Sequence, residues 1–397
     1  MNRQATDTGV EFFDTGSVDA GSRGFSGVVD DGRYLYFVPL NNGDFHGQVT
    51  RHDTAGAFTD AASWQVFDSA SVHPHSRGFV DGLFDGRYLY LIPYCHGQHH
   101  GQVTRYDTRA AFGDRASWQV FDTRRLHAHS RGFVSGCYDG RYLYFAPYQL
   151  DHATTHGQVT RFDTRGAFDD AGSWSVFDTA RVHPDSRGFH SAVWDGGHYV
   201  YLVPYLRGGK DYSGLLLRHD CRQPFSDAGA WQCFDLGRLD ARCRGYVGGS
   251  FHAGQLYLAP YFDGAERHGR VLRFDGDKAL DDAAAWSVFD CAGIDAGSRG
   301  FFGAVCDGQA LYLIPHCRGE GQYHGQLTRY RHGLAFDAAS AWSVCDLGRH
   351  HPAARGFIGA AIHAGHLYLA PFETDAGRHS GLVARLRLDA AHLWSSP

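Results

Sequence analysis

The chain has 397 residues, 43% of them hydrophobic, and a formal net charge of -6 carried with two lysines, Lys210 and Lys278, against thirty-five arginines. That balance argues against a nucleic-acid or anionic-membrane partner, since either calls for a net basic surface, and no apolar run reaches the roughly 18–20 residues of a membrane-spanning helix. The nine cysteines (Cys95, Cys137, Cys221, Cys233, Cys243, Cys291, Cys306, Cys317, Cys345) show no CxxC pair, which argues against a disulfide framework or zinc ribbon, and the N-terminus MNRQATDTGVEFF lacks the basic-then-apolar pattern of a signal peptide, so the expectation is a cytoplasmic, soluble monomer.

The first element is VEFFD at residues 10–14, which matches the end of an outer strand. After it, Ser-Arg-Gly-Phe or a close variant recurs seven times, with Arg23, Arg77, Arg131, Arg187, Arg244, Arg299 and Arg355 separated by 54, 54, 56, 57, 55 and 56 residues. A period in this range marks a repeat architecture, in which each copy buries its apolar surface on its neighbours. The copies start near residues 22, 76, 130, 186, 243, 298 and 354, and residues 1–397 read as one domain.

The second copy shows how one unit folds. GFVDGLF (78–84) reads as a first strand, with Asp85-Gly86 predicted to supply the positive φ angles of a two-residue hairpin turn. RYLYLIP (87–93) is the second strand; its nearly continuous apolar run is expected where both faces of a sheet are covered. GQVTRYD (101–107) and SWQVFD (117–122) supply the third and fourth strands. Four antiparallel strands in about 54 residues, repeated around a ring, predict an all-β, seven-bladed propeller. The last copy begins at Ala354 and finishes at HLWSSP without the Phe-Asp that closes the others, so residues 10–14 are predicted to complete blade seven and remove the exposed edges at the seam. Trp64, Trp118, Trp174, Trp231, Trp286 and Trp342 then pack between blades.

By this repeat the chain resembles seven-bladed β-propellers of kelch-like blade length. The double-glycine signature of kelch repeats and the Gly-His and Trp-Asp pairs of WD40 repeats are absent, so the resemblance implies architecture and carries no function.

Strand direction sorts the loops into two faces. Eighteen of the twenty-six histidines fall on the face that holds the second-to-third loops and the inter-blade linkers, which marks it as the ligand face. The seven arginines are expected to surround the channel mouth there as an anion-binding ring; the competing reading is that each bonds a backbone carbonyl or one of the Phe-Asp carboxylates, Asp14, Asp68, Asp122, Asp178, Asp235, Asp290 and Asp346. Tyr94, Tyr148, Tyr205 and Tyr261, which follow the blade prolines, are candidates for stacking on a ring or sugar. His46, His100, His156, His268 and His324, each followed by glycine, and His316 are candidate ligands of a divalent metal ion, the one cofactor these residues suggest; the reading that five near-identical copies favour for the first five is that each ring hydrogen-bonds its own loop. Three of the four glutamates, Glu266, Glu320 and Glu373, fall in the same loops of blades five to seven beside His268, His316, His324 and His379, a mixture suited to a metal site or an acid–base pair. Blade four departs from the pattern with His190, Lys210, Asp211, Tyr212 and Ser213, of which His190 and Tyr212 join the glutamates as catalytic candidates.

No nucleotide loop, nucleophile elbow or zinc-protease helix is present. The leading expectation is a binding protein for an anionic or polyhydroxylated small molecule at the His/Arg/Tyr face. The alternatives are a metal-dependent lyase or hydrolase acting on an acidic substrate, and a protein-interaction scaffold with a broad exposed apolar patch.

Overall fold

The computed structural model describes residues 9–395. Residues 1–8, on which the expectation about a signal peptide mainly rests, and the final Ser396-Pro397 lie outside the described residues. Seven four-stranded antiparallel sheets follow one another around an axis, with the innermost strand of each blade packed against those of the two adjacent blades. Blade one runs through Phe25–Asp30, Tyr34–Pro39, Gln48–Asp53 and Trp64–Asp68, and the others repeat it. Blade seven is completed by Val10–Asp14, which pairs antiparallel with Leu382–Arg387 in a register running from Val10 opposite Leu386 to Asp14 opposite Leu382. Blades four and seven each add a small hairpin in the second-to-third loop, Leu206–Gly208 with Asp211–Tyr212 and Glu373–Asp375 with Arg378–His379.

The recurring Arg-Gly-Phe has a steric origin. Gly24, Gly78, Gly132, Gly188, Gly245, Gly300 and Gly356 all take φ between +65° and +71°, and a Cβ on any of them would sit 1.5–1.9 Å from a carbonyl oxygen of the second-to-third loop. Only glycine supplies that backbone shape and that close approach. Its N–H donates across the blade boundary, as from Gly78 to the His46 carbonyl at 2.9 Å. One residue beyond the following aromatic, every inner strand carries a β-bulge, as between Phe79 and Asp81. The bulge re-aims the chain so that two successive residues face the axis.

The turns after the inner strands correct one expectation. In blade two Phe84 pairs with Leu89, so the turn is longer than two residues; of Asp85 and Gly86 only the glycine has positive φ, +97°. The Asp85 carboxylate instead accepts from the N–H groups of Arg87 and Tyr88 at 2.8 and 2.7 Å. Two-residue turns with both φ positive occur in blades five and seven, at Ala253-Gly254 and Ala364-Gly365.

Aromatic stacking joins the blades. At every junction but that of blades six and seven, where Cys345 replaces the Phe, the fourth-strand Phe of one blade lies flat on the Trp of the next, as for Phe67 on Trp118 and Phe121 on Trp174, with centroids 4.7 and 4.6 Å apart. Third-strand arginines add a cationic layer: the Arg105 guanidinium is sandwiched between Tyr88 of its own blade and Phe168 of the next, at 4.1 and 4.2 Å.

Candidate binding site at the mouth of the central channel

The residue after each second-strand proline turns onto the axis, giving the ring Leu40, Tyr94, Tyr148, Tyr205, Tyr261, His316 and Phe372 around a cavity of about 260 Å³. The bulge residues Val80, Val134, His190, Phe302 and Ile358 form its floor and also line a second cavity of about 220 Å³ below. They are therefore the constriction between an aromatic mouth and an inner channel. The four tyrosines form an unbroken arc from four successive blades, with neighbouring rings 6.4, 6.1 and 6.2 Å apart. Burial pushes all four phenols above the usual tyrosine range, so they stay neutral. Tyr94 donates its hydroxyl to Gln149 Oε1 at 2.8 Å.

One cation lines this mouth. The Arg267 guanidinium stacks 3.9 Å from the Tyr261 ring centre and 4.8 Å from that of Phe262, and among the described residues no carboxylate lies within ion-pair distance of it. His190 sits at the centre of the aromatic group, 5.5, 5.3 and 5.1 Å from Tyr148, Tyr205 and Phe302. Its Nδ1 lies 2.8 Å from the Val247 carbonyl, which can only accept, so Nδ1 carries the proton and Nε2 is left as an acceptor. Burial lowers its pKa to about 4, which keeps the ring neutral.

The channel below carries one carboxylate, Asp81. Its Oδ1 accepts from the Gly82 N–H and its Oδ2 from Ser135 Oγ, both at 2.8 Å, and Ser135 Oγ lies 3.4 Å from Ser191 Oγ. Desolvation raises the Asp81 pKa to about 6. The equivalent residues of the other four blades are Gly27, Gly248, Gly303 and Gly359; at two of them the neighbouring inner strand leaves no room for a side chain, since a Cβ on Gly248 would meet Gly303 Cα at 2.7 Å and one on Gly359 would meet Gly27 Cα at 2.6 Å.

The arginines of the repeat lie elsewhere. None of Arg23, Arg77, Arg131, Arg187, Arg244, Arg299 or Arg355 lines the mouth cavity. Arg23, Arg244 and Arg299 fold back on carbonyls of their own linkers, Ala20, Ala241 and Ala296, with Nε distances of 2.8, 2.9 and 2.8 Å. Nor do they pair with the Phe-Asp carboxylates. Those seven aspartates cap the short 3-10 turns of the linkers, as Asp68 does by accepting from the Ala70 N–H at 3.0 Å.

The histidines followed by glycine do not converge. His46, His100, His156, His268 and His324 are buried one per blade, so the ring symmetry holds them apart. Their imidazoles are committed locally: His268 and His324 Nε2 each lie 3.0 Å from the carbonyl of their own blade's repeat arginine, Arg244 and Arg299. His316 sits apart from these five, in the aromatic mouth. Among the described residues no group of three or more His, Cys, Asp or Glu side chains could hold a metal ion. The glutamate sector likewise separates. Glu266 is exposed and lies 3.5 and 3.9 Å from Arg270 and Arg299, Glu320 is exposed on a turn, and Glu373 accepts from the Tyr323 hydroxyl and the Gly377 N–H. Of the blade-four candidates, His190 reaches the mouth, whereas Lys210 is exposed in the hairpin turn, Asp211 pairs with Arg207 at 2.9 Å, and Tyr212 packs edge-on against Phe262. The exposed large hydrophobic residues among the described ones are Val288 and Leu334.

Fold and site together define a closed seven-bladed β-propeller with an aromatic cavity on its axis and a polar channel beneath it. No protein-family model matches the chain, and no curated protein matches it in sequence. Among solved structures it is similar in fold to PorZ, described as an essential bacterial surface component of the type-IX secretion system of Porphyromonas gingivalis, with a TM-score of 0.55 and 10% identity over 94% of this chain. The match spans 38% of the PorZ chain, and at that identity the likeness is one of fold.

Proposed function

We propose that this propeller binds a small polyhydroxylated ligand bearing an anionic group, in the tyrosine-lined mouth of its central channel. The carrying observation is the arc Tyr94–Tyr148–Tyr205–Tyr261 with Arg267 stacked at one end and free of any carboxylate partner among the described residues. Aromatic faces with polar tips suit the apolar face and hydroxyl rim of a sugar ring, and an unpaired guanidinium suits a carboxylate. The cavity, about 260 Å³, lies just under the roughly 300–1,000 Å³ of drug-sized sites, which fits one ring and not an oligomer. Neutral His190 adds a fixed acceptor for a hydroxyl.

The test is calorimetric titration with a hexuronate and its matching neutral hexose. The acid is expected to bind more tightly, Arg267→Ala to abolish that preference, and Tyr205→Ala to weaken both ligands. Equal affinities for acid and hexose, or a Tyr205→Ala variant that binds like the parent chain, would overturn the reading.

A further inference from the structure

We infer that the seam between blades seven and one holds a second, separate binding site for a small polyanion carrying two or more phosphate or sulfate groups. The inference begins from a substitution within the repeat. Five blades open the third strand with His-Gly, and blades four and seven have Ser213-Gly214 and Ser380-Gly381. In four of the five histidine blades Nδ1 accepts the N–H two residues on, as His46 does from Gln48 and His324 from Gln326 at 3.3 Å, while the Nε2 of His324 reaches the linker at the Arg299 carbonyl. Serine reproduces the first role: Ser213 and Ser380 Oγ accept from Leu215 and Leu382 N–H at 3.1 Å. It cannot reproduce the rest of the imidazole, and a recess opens at both serine blades.

The two recesses differ in charge. The blade-four recess, about 380 Å³, sets Arg207, Arg238 and Arg244 against two lining aspartates, Asp185 and Asp235, and its Arg207 pairs with Asp185 and Asp211 at 3.4 and 2.9 Å. At blade seven the recess is larger, about 680 Å³, and takes Arg23, Arg355 and Arg378 with His351 and His379. Arg355 lies 3.6 Å from Asp375, and the lining carboxylate of Asp14 already accepts from the Gly16 N–H. Arg23 and Arg378 have no carboxylate partner among the described residues. An uncompensated pair of guanidiniums in a recess of this size, in a protein of net charge -6, selects for multiply charged oxyanions. This site shares no lining residue with the aromatic mouth.

The full chain is titrated calorimetrically with pyrophosphate and with a disulfated disaccharide at fixed ionic strength, the tighter probe distinguishing phosphate from sulfate. One equivalent is expected to bind. Ser380→His, which installs the residue of five other blades, and Arg378→Ala, an exposed change on a hairpin, are each expected to weaken binding at least tenfold, with Ser213→His leaving it unchanged. Failure of both probes to bind overturns the inference, as does unaltered affinity in Arg378→Ala or in a Ser380→His variant whose melting curve matches the parent chain.

Discussion

Phe13 lies flat on Trp64, with ring centroids 4.7 Å apart and planes 9° apart, although one residue belongs to the strand that closes blade seven and the other to blade one. The same stack joins blades one to six within continuous sequence, as for Phe67 on Trp118 at the same spacing and angle. At the seam it holds a strand that pairs with blade seven while its chain runs on into blade one. Phe13→Ala is therefore expected to cost about 3–5 kcal/mol, as for buried aromatic truncations generally, and to make residues 10–14 more susceptible to proteolysis than in Phe67→Ala. Urea denaturation and limited digestion of the two variants check this; equal digestion would show that the seam gains nothing special from the stack.

The repeat glycine offers a sharper steric contrast. In Gly78→Ala the new Cβ would fall 1.7 Å from the Cys95 carbonyl oxygen, with φ at +71°. At Gly86, φ is also positive but nothing lies within 4 Å of the added carbon. Gly86→Ala should cost only the backbone strain, about 1–2 kcal/mol, and Gly78→Ala considerably more. Thermal melting of the two variants decides it, and comparable losses would argue against the close approach.

Acid should weaken the fold. Burial lowers His46, His52, His219 and His324 to about 4 and His100, His156, His268 and His316 to about 3, from an ordinary value of 6.5. As pH falls below 6.5 the unfolded chain takes up these protons first, so stability is lost from there down to about pH 4 or 3 and is fully present above 6.5. Urea midpoints measured from pH 8 to pH 4 are expected to fall steeply below 6.5; a flat profile would contradict the buried, neutral state of these rings.

Asp81 carries the opposite sign. Its pKa is raised to about 6 in the folded chain from 3.8, so the folded state binds the proton more readily, and its contribution to stability declines as pH rises between those values. Asp81→Asn is expected to be more stable than the parent at pH 7.5 and to lose that advantage below about pH 4. A destabilised variant at pH 7.5 would mean that the ionised carboxylate is held more favourably than its surroundings indicate.

The architecture was legible because the Arg-Gly-aromatic step recurs seven times at one period, with an Asp-Gly turn in five of the units and a Trp at one register in six, and because VEFFD matches what the last unit lacks. The position of the tyrosine ring was legible for the same reason: a residue after a strand-ending proline has a fixed place in every blade. Side-chain direction was not. Arg23 folds back on the Ala20 carbonyl, while the bulge one residue past Phe25 gives the axis to the next two positions. Arg267 was overlooked because it opens no repeat motif. Asp81 did leave a signal: reading down its column gives Gly27, Asp81, Ser135, Ser191, Gly248, Gly303 and Gly359, with one ionisable member. The histidines misled because identical residues on a ring sit at equal radius and so keep apart.

The exchange of serine for histidine at positions 213 and 380 shows that this framework opens recesses by subtraction. In the other five blades an imidazole stands at that position, and in four of them its Nδ1 accepts the N–H that serine Oγ accepts at 213 and 380. Replacing His324 with serine would empty the corresponding space at blade six without touching a strand. The surface relief of such a ring is thus modular and can be reshaped one blade at a time.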